Sequence, residues 1–320
     1  MNLRVLVTGG FGYVGGRVAQ ALADAGADVV LGSRRQRGAP DWLPTATCCA
    51  TEWDSPDQLQ QICNGIDVVI HLAAMNEIEA AKDPVGALQM NGVASVRLLE
   101  SAIAAGVRRF IYFSTAHVYG APLQGRLDET TLAKPIHPYA TSHRAAEDVV
   151  LAARQQGRIE GVAVRLSNSF GPPTHAGIDR WTLLANDLCR QAAVEGTLTL
   201  RSAGLQRRDF VTLTDVGRAT THLVALPEKS LTDGLFNLGG DWAPTIFEVS
   251  ELIALQCAEL GWESPQIQRP EPTEQEIERQ SSEWLDYRID KLKSTGFELA
   301  GDVKAELASA LRFCEQVFRS

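Results

Sequence analysis

The 320-residue sequence has no C-x-x-C pair, and none of its six cysteines has a histidine at metal-ligand spacing. The cysteines are scattered along the chain at Cys48, Cys49, Cys63, Cys189, Cys257 and Cys314. This pattern disfavours a zinc centre and a disulfide framework. We therefore expect no metal site, and we expect reduced thiols in a cytoplasmic protein.

Long apolar runs are missing as well. No stretch approaches the about 18 uninterrupted apolar residues of a membrane-spanning helix. The first residues lead directly into a predicted strand, so we expect neither a signal peptide nor a membrane partner.

Positive charge is in deficit, with 30 Lys and Arg against 39 Asp and Glu and a net charge of −9. An acidic chain is disfavoured as a nucleic-acid binder or as a ligand of anionic membranes. With 45% apolar and 22% charged residues, the composition is that of a globular protein with room for one large or two smaller domains.

What the sequence does contain is a glycine-rich turn at its start. The apolar run at 3–7 predicts a buried strand, Gly9, Gly12 and Gly15 follow it, and a helical pattern begins near residue 14. At this spacing the first glycine permits a tight turn, the second lets backbone N–H groups approach a pyrophosphate, and the third lets the helix pack on the sheet. The free N–H groups of the helix N-terminus favour an anion there. We interpret the turn as a dinucleotide site.

Strands and helices alternate through the first half of the chain. Apolar strands are predicted at 3–7, 28–31, 47–52, 67–73, 109–114 and 161–166. Helical patterns lie between them near 14–25, 56–63, 84–105 and 138–156. Short buried strands separated by helices are typical of an α/β fold with a doubly wound parallel sheet. Such a sheet binds its ligand at the carboxyl ends of its strands.

This regularity ends after residue 166. A Gly-Pro loop at 168–173, a helix near 180–195 and a Glu/Gln/Pro-rich connector at 264–282 are predicted, with further helices at 246–260 and 302–318. We assign 1–166, together with 206–240, to a nucleotide-binding domain. Residues 167–205 and 241–320 are assigned to a smaller, discontinuous substrate-binding domain.

Seven ordered motifs resemble those of the extended short-chain dehydrogenase/reductase superfamily, in particular its nucleotide-sugar epimerase, dehydratase and reductase branch. Thr8–Gly15 matches T-G-x-x-G-x-x-G, His71–Ala74 matches H-x-A-A, Asn91 matches a helix asparagine, and Ser114–Gly120 matches S-[ST]-x-x-V-Y-G. Tyr139–His143 stands at the catalytic Y-x-x-x-K position, 168–172 matches N-x-x-G-P, and 208–215 matches R-D-F-x-x-V-x-D.

The resemblance implies roles for individual residues. Tyr139 would be the general acid/base, Thr115 would hydrogen-bond the reacting hydroxyl or ketone, and His143 would complete the catalytic group. The implied cofactor contacts are Gly9, Phe11, Gly12, Tyr13, Val14, Gly15, Ser33, Arg34, Arg35, Asp54 (adenine), Leu72, Ala73, Ala74, Asn91, Tyr139 and His143. The implied substrate contacts are Thr115, Ala116, His117, Asn168 and Arg208, the last two on a nucleotide diphosphate.

One departure from the family pattern concerns the cofactor. Where NAD-binding members carry an aspartate at the end of the second strand, this chain has Gly32-Ser33-Arg34-Arg35. Losing a carboxylate and gaining guanidinium groups suits a 2′-phosphate, so we expect NADP(H) rather than NAD(H). The alternative is that the arginines belong to a solvated basic loop.

A second departure is His143 in place of the family lysine. The spacing of four still puts it on the helix face of Tyr139. Imidazole is mostly neutral above about pH 6.5, so Tyr139 would stay protonated, which favours ketone reduction over alcohol oxidation. We expect activity to rise below about pH 7 as His143 becomes charged. The alternatives are that His143 only binds the ribose, or that catalysis is lost.

The two residues after the active-site threonine bear on the type of reaction. Family dehydratases carry an acidic residue or pair there, whereas this chain has Ala116 and His117. Alanine cannot act as the acid, which disfavours 4,6-dehydration. His117 is either a second proton carrier or a packed strand-end residue.

The leading hypothesis is an NADP(H)-dependent reductase of a keto group on a nucleotide-diphosphate sugar, with Tyr139 as the proton donor. The alternatives are an NAD-dependent nucleotide-sugar 4-epimerase and a non-catalytic NAD(P)-binding protein. The resemblance also implies a homodimer through the helices near 84–105 and 138–156. The apolar positions Leu98, Leu99, Ile103, Val149 and Val150 fit that interface or burial against the sheet equally well.

Overall fold

The computed structural model describes residues 3–319, with only the backbone for 279–282. The strands in this range are β1 (Arg4–Thr8), β2 (Asp28–Ser33), β3 (Thr47–Ala50), β4 (Val68–His71), β5 (Arg109–Thr115), β6 (Gly125–Leu127), β7 (Glu160–Leu166), β8 (Asn168–Phe170), β9 (Thr197–Thr199), β10 (Phe210–Thr212), β11 (Leu235–Leu238), β12 (Gln266–Gln268) and β13 (Leu285–Tyr287).

The α-helices in the same range are α1 (Tyr13–Asp24), α2 (Pro56–Cys63), α3 (Glu77–Lys82), α4 (Pro84–Ala87), α5 (Ala94–Ala104), α6 (Pro138–Gln155), α7 (Leu184–Glu195), α8 (Leu213–Ala225), α9 (Ile246–Glu259), α10 (Glu274–Ser282), α11 (Asp290–Lys293) and α12 (Val303–Phe318). A π-helical segment, Leu88–Val93, joins α4 to α5, and 3₁₀ turns lie at Ala116–Tyr119 and Glu228–Leu231. No helix in the described part of the chain is long and apolar enough to span a membrane.

Seven strands form one parallel sheet in the order β3-β2-β1-β4-β5-β7-β11. The chain runs outward from β1 to β3, returns to β4, and then builds the other half. Thr8 is paired with both Gly32 and His71, so β1, β2 and β4 end within one residue of one another. His71 is paired with Tyr112, and β5 continues three residues beyond it to Thr115. The predicted α/β fold with a doubly wound parallel sheet is confirmed, and the order reverses between β1 and β4, where such sheets bind ligands.

Alternation along the strands builds a core on each face of the sheet. Val5 and Val7 pack in one cluster with residues of α1 and α8, while Leu6 between them packs on the other face with residues of α2, α5 and α6. A side-chain period of two produces this division. On β5 the same period sends Tyr112 to the face covered by α6.

A separate apolar cluster holds α7, α9 and α12 together beside the sheet. The chain crosses to it after β7, and the short parallel pair of β8 with β10 brings it back to α8, which packs on α1. The predicted domain boundaries stay a prediction, and their ends at residues 1–2 and 320 lie outside the described residues.

Several local expectations were wrong. The predicted connector at 264–282 contains β12 and α10, and the predicted loop at 168–173 begins with β8. The predicted helix near 180–195 is present as α7, which ends at Glu195 as predicted but begins at Leu184. Strand β11 was not predicted. It is short, and it interrupts its apolar residues with the buried Asn237, whose side chain binds the hydroxyls of Tyr119 and Tyr287.

A buried ion pair fixes α6 on the sheet. Arg165 of β7 donates to Glu147 of α6 at 2.5 Å, and both side chains are at most 2% exposed. The guanidinium carbon of Arg165 lies 4.6 Å from the centre of the Tyr119 ring. Arg144 adds a second donor to Glu147 at 2.9 Å. Because both charges are withdrawn from water, each depends on the other.

The apolar positions named for a dimer interface pack inside the chain. Leu98, Leu99 and Val150 are fully buried in the core beneath the sheet, with Ile103 and Val149 packed against them. Of the two alternatives, burial against the sheet is therefore the one that the structure contains.

Candidate active site

A cavity of about 650 Å³ opens at the carboxyl ends of β1, β4 and β5. Predicted site residues line it from four directions: the glycine-rich turn, the ends of β4 and β5, the start of α6, and the segments after β7. Those lining it are Gly9, Phe11, Gly12, Tyr13, Val14, Gly15, Leu72, Ala74, Thr115, Ala116, His117, Tyr139, His143, Asn168 and Arg208. The cleft therefore lies at the point where the strand order reverses.

The glycine-rich turn fits a dinucleotide. Gly9 has a φ of +71°, and a Cβ atom on Gly15 would lie 2.1 Å from the carbonyl oxygen of Gly9. Helix α1 begins after Gly12 with no side-chain cap and no acidic residue in its first turn. Its first N–H groups are thus available to a phosphate, as a pyrophosphate cradle requires.

We predict that Gly15→Ala weakens both nicotinamide cofactor binding and the fold. The added methyl collides with backbone atoms of Gly9, and such overpacking costs about 1–3 kcal/mol of unfolding free energy. Calorimetry with NADPH and NADH, together with urea unfolding, measures both effects. Gly38→Ala is the matched control, because a Cβ atom there meets nothing within 4 Å. Equal behaviour of the two variants would contradict the prediction.

The residues predicted for the adenosine end lie outside the lining of the cavity. Ser33 ends β2, and Arg34 and Arg35 follow it as exposed side chains that form no ion pair among the described residues. Asp54 is almost fully exposed and is paired with Arg97. Their cofactor roles stay predictions.

Two residues from the other motifs, Ala73 and Asn91, also lie outside the lining of the cavity. The backbone of Ala73 comes so close to Gly9 that a Cβ atom there would lie 2.8 Å away. Asn91 is fully buried in the π-helical segment, where its amide accepts from the Met75 N–H at 2.6 Å and donates to Ser142 Oγ at 3.0 Å. Asn91 thus holds the loop after β4, and its predicted direct contact with the cofactor finds no support in this geometry.

Tyr13 lines the cleft, but its hydroxyl is already hydrogen-bonded to other residues of the protein. Its hydroxyl is buried and donates to the Gly171 carbonyl at 2.9 Å, with Asn186 at 3.1 Å. These bonds join the first turn of α1 to the substrate side of the cleft.

Tyr139 and Thr115 meet at the floor of the cleft. Tyr139 lies in the first turn of α6, after Pro138, and Thr115 ends β5. Burial raises the pKa of Tyr139 to about 12, the Glu77 carboxylate adds to the rise, and Arg180 and the Thr115 hydroxyl oppose it. The phenol is therefore a proton donor at neutral pH.

His143 lies beside Tyr139, with the two ring centres 4.5 Å apart. It is 3% exposed, its Nδ1 is 2.8 Å from the Tyr112 hydroxyl, and its buried Nε2 has no hydrogen-bond partner. Burial lowers the pKa of His143 to about 3, although the Phe113 carbonyl acts against this shift. The expected rise in activity below pH 7 was therefore wrong in its premise, because a desolvated imidazole stays neutral throughout that range.

His117 and Ala116 follow Thr115 in a 3₁₀ turn that Thr115 caps. Ala116 is buried, and His117 turns an unpartnered Nδ1 inward. Burial lowers the pKa of His117 to about 4, and the neighbouring His137 and Arg208 add to the fall. At neutral pH this pair thus offers a hydrogen-bonding imidazole and no acid.

Asn168 and Arg208 lie toward the substrate end. The Asn168 amide donates to the Asp209 carbonyl at 2.9 Å, and Asn168 lines the cavity. Arg208 contacts only the amide oxygen of Gln206 at 3.3 Å, forms no ion pair among the described side chains, and has its pKa lowered by burial. A half-buried guanidinium without a carboxylate is suited to an anionic ligand.

An ion pair across the cleft was not predictable from the sequence. Glu77 of α3 and Arg180, from the loop before α7, both line the cavity and lie 3.2 Å apart. They are 103 residues apart in the chain, and no local pattern links them. Tyr112 was missed as well, although a tyrosine inside an otherwise apolar strand does signal a buried hydroxyl that needs a partner.

Comparison with known proteins agrees with this geometry. The sequence model of the family described as "NAD dependent epimerase/dehydratase family" matches residues 5–239. A UDP-glucose 4-epimerase of Rhizobium leguminosarum bv. trifolii is 31% identical over 182 residues, which are 55% of this chain and 55% of that protein. The matched part is thus about half the length of that relative.

Two further similar proteins cover more of the chain. A dTDP-D-glucose 4,6-dehydratase of Mus musculus is 28% identical over 305 residues, 90% of this chain and 78% of that protein. The solved structure of MoeE5 in complex with UDP-glucose and NAD is 25% identical with a TM-score of 0.75, covering 98% of this chain and 99% of that one.

The family match covers well over half of the chain, and the motifs predicted from the sequence lie together around one cleft. The chain therefore belongs to the NAD dependent epimerase/dehydratase family, within the extended short-chain dehydrogenase/reductase superfamily, and is an NAD(P)-dependent enzyme.

Proposed function

We propose that this protein is an NADP(H)-dependent reductase of a keto group on a nucleotide-diphosphate sugar. The observation that carries the proposal is the state of Tyr139, a phenol held protonated beside Thr115 with a neutral His143 as its neighbour. No lysine lines this cavity in the described part of the chain, so no lysine charge promotes the phenolate that alcohol oxidation needs.

The side chains divide the work as follows. Bound NADP(H) would supply or accept the hydride. Thr115 donates a hydrogen bond to the keto oxygen, and Tyr139 delivers its proton to that oxygen as negative charge develops there. Arg208 and Asn168 hold the diphosphate, which fixes the sugar over the reacting groups.

Support for NADP(H) comes from the strand end after β2. Arg34 and Arg35 are exposed and have no carboxylate partner among the described residues, so both guanidinium groups are available to a 2′-phosphate. Substitution of both arginines distinguishes this role from the alternative, in which they belong to a solvated basic loop.

We predict that the double variant Arg34→Ala/Arg35→Ala weakens NADPH binding by about ten- to a hundredfold, the effect of one or two charged hydrogen bonds. NADH binding should not change, because NADH lacks the phosphate. Calorimetry with each dinucleotide measures the ratio. Arg126→Ala is the control, since Arg126 is an exposed arginine that does not line the cleft. Equal weakening of both dinucleotides would support the loop interpretation.

The second candidate is a nucleotide-sugar 4-epimerase. It is favoured by the relative from R. leguminosarum and by the structure with UDP-glucose and NAD. A reductase consumes one NAD(P)H for each product molecule, whereas an epimerase converts UDP-glucose to UDP-galactose with no net consumption. Chromatography of the sugar nucleotides with parallel measurement of NAD(P)H separates the two functions. Conversion without consumption would replace the reductase proposal.

Dehydration is the least favoured reaction of the family. A dehydratase of Mus musculus is among the relatives, but Ala116 gives this cleft no acid beside Thr115.

The proposed homodimer would use the outer face of the segment before α5. Val85, Leu88 and Val93 are exposed there, which supports that assignment.

A further inference from the structure

The cleft contains two arginines in different electrostatic states. Arg208 contacts the neutral amide of Gln206 and has no carboxylate partner among the described residues, whereas Arg180 lies 3.2 Å from the carboxylate of Glu77. A guanidinium without a counter-charge favours an anionic ligand group, and a paired one has little charge left to offer. The two arginines therefore suit different parts of one ligand.

The two arginines also lie at different ends of the cleft. Arg208 and Asn168 line both the cleft and an adjoining cavity of about 650 Å³. Arg180 and Glu77 line the cleft and not this second cavity, and their charges act in opposite directions on the pKa of Tyr139. Arg180 is therefore on the side of the reacting groups, where the sugar would lie, and Arg208 is on the side of the diphosphate.

The charges at the Arg180 end do not cancel. Asp179, the residue before Arg180, is exposed, lines the cleft and forms no ion pair among the described residues. The carboxylates of Glu77 and Asp179 thus outnumber the one guanidinium. Burial lowers the pKa of His117 to about 4 and that of His143 to about 3, so neither imidazole adds a positive charge at neutral pH. This end of the cleft is therefore net negative.

We propose that Glu77 and Asp179 are specificity-determining residues that restrict the substrate to a nucleotide-diphosphate sugar whose ring carries no carboxylate. This inference rests on the proposed function. The one anionic group that the cleft accepts is the diphosphate, at Arg208. A uronate would bring its carboxylate against Glu77 and Asp179, and Arg180, already paired with Glu77, does not compensate it. Like charges brought together in this way disfavour the complex.

The inference is tested by calorimetry of the full-length protein with matched pairs of ligands. These are UDP-, dTDP- and GDP-linked glucose and glucuronic acid, because the members of each pair share their nucleotide and differ only at C6. The glucose member should bind at least about tenfold more tightly, the effect of one charged contact. Equal affinities, or tighter binding of the glucuronic acid member, would overturn this inference alone. Failure of every pair to bind would overturn the proposed function and the inference with it.

Variants of the two carboxylates test the cause of the preference. Glu77→Gln removes one negative charge and releases the Arg180 guanidinium, so the preference for glucose should fall by about tenfold. Asp179→Asn should change the preference in the same direction while keeping the Glu77–Arg180 pair. Glu79→Gln is the matched control, since Glu79 is an exposed glutamate of the same helix that does not line the cleft. A preference that neither Glu77→Gln nor Asp179→Asn reduces below that of Glu79→Gln would overturn the assignment.

Discussion

Tyr139→Phe is expected to lower kcat for ketone reduction by about 10²–10⁴-fold, the usual contribution of a positioned proton donor. The change removes only the hydroxyl oxygen, so the ring remains beside His143 and the first turn of α6 is retained. Affinity for the dinucleotide should change much less than kcat. Steady-state kinetics with the reducible sugar nucleotide, together with cofactor titration, separates the two quantities.

Tyr119→Phe is the matched control for this variant. Its hydroxyl is also buried but donates to Asn237 at 2.8 Å, outside the cleft. If Tyr139→Phe kept the activity of Tyr119→Phe, the proton would have to come from another group, and Tyr139 would lose its assigned role.

The pH dependence of the reaction rate also tests Tyr139 as the proton donor. With the pKa of Tyr139 raised to about 12, the phenol is protonated at every pH well below that value. The titration of Tyr139 should therefore leave reduction, which uses the phenol, unchanged between about pH 6 and 9, whereas the reverse oxidation, which uses the phenolate, should rise about tenfold per unit. His143, with a pKa of about 3, adds no step in this interval.

Glu147→Gln is expected to reduce the free energy of unfolding by about 3–5 kcal/mol. The substitution leaves the guanidinium of Arg165 buried without a counter-charge, in a place where water cannot reach it. Urea unfolding followed by circular dichroism measures the loss.

Glu100→Gln tests whether burial is the cause. Glu100 pairs with Arg158 at 2.6 Å on the surface, and the substitution is chemically the same. Water compensates for that loss, so the change should be far smaller. Similar losses in the two variants would show that the Arg165–Glu147 pair is not the source of the effect.

Strands such as β1 and β5 were predictable because burial on both faces requires uninterrupted apolar residues. The glycine-rich turn was predictable because its backbone geometry requires glycine: Gly9 and Gly15 approach each other too closely for a side chain. The parallel sheet followed from these local facts. The collection of Thr115, Tyr139 and His143 in one catalytic group followed from the family resemblance of the motifs that contain them.

What could not be predicted depends on partners distant in the chain. Strand β11 contains Asn237, whose burial is acceptable because Tyr119 and Tyr287 donate to its amide oxygen and its amide nitrogen donates to the Arg288 carbonyl. From the sequence, the protonation of His143 could be predicted only from the usual pKa of histidine. The fold buries His143 beneath β5, where water is excluded and the pKa is lowered. Neither effect leaves a mark in the residues next to it.

The π-helical segment before α5 has a consequence for how precisely the cleft is assembled. A π-turn accommodates one more residue than an α-turn, which shifts the phase of everything after it by ~100°. With this rotation, the Asn91 amide accepts a hydrogen bond from the Met75 N–H, while Leu98 and Leu99 on the continuing helix face the sheet. Deleting a single residue there would shorten the helix by only about 1.5 Å. It would nevertheless rotate the Asn91 side-chain amide away from Met75 and release the loop that leads to Glu77. The rotation of this one helix about its axis therefore determines the position of the loop at the entrance of the cleft.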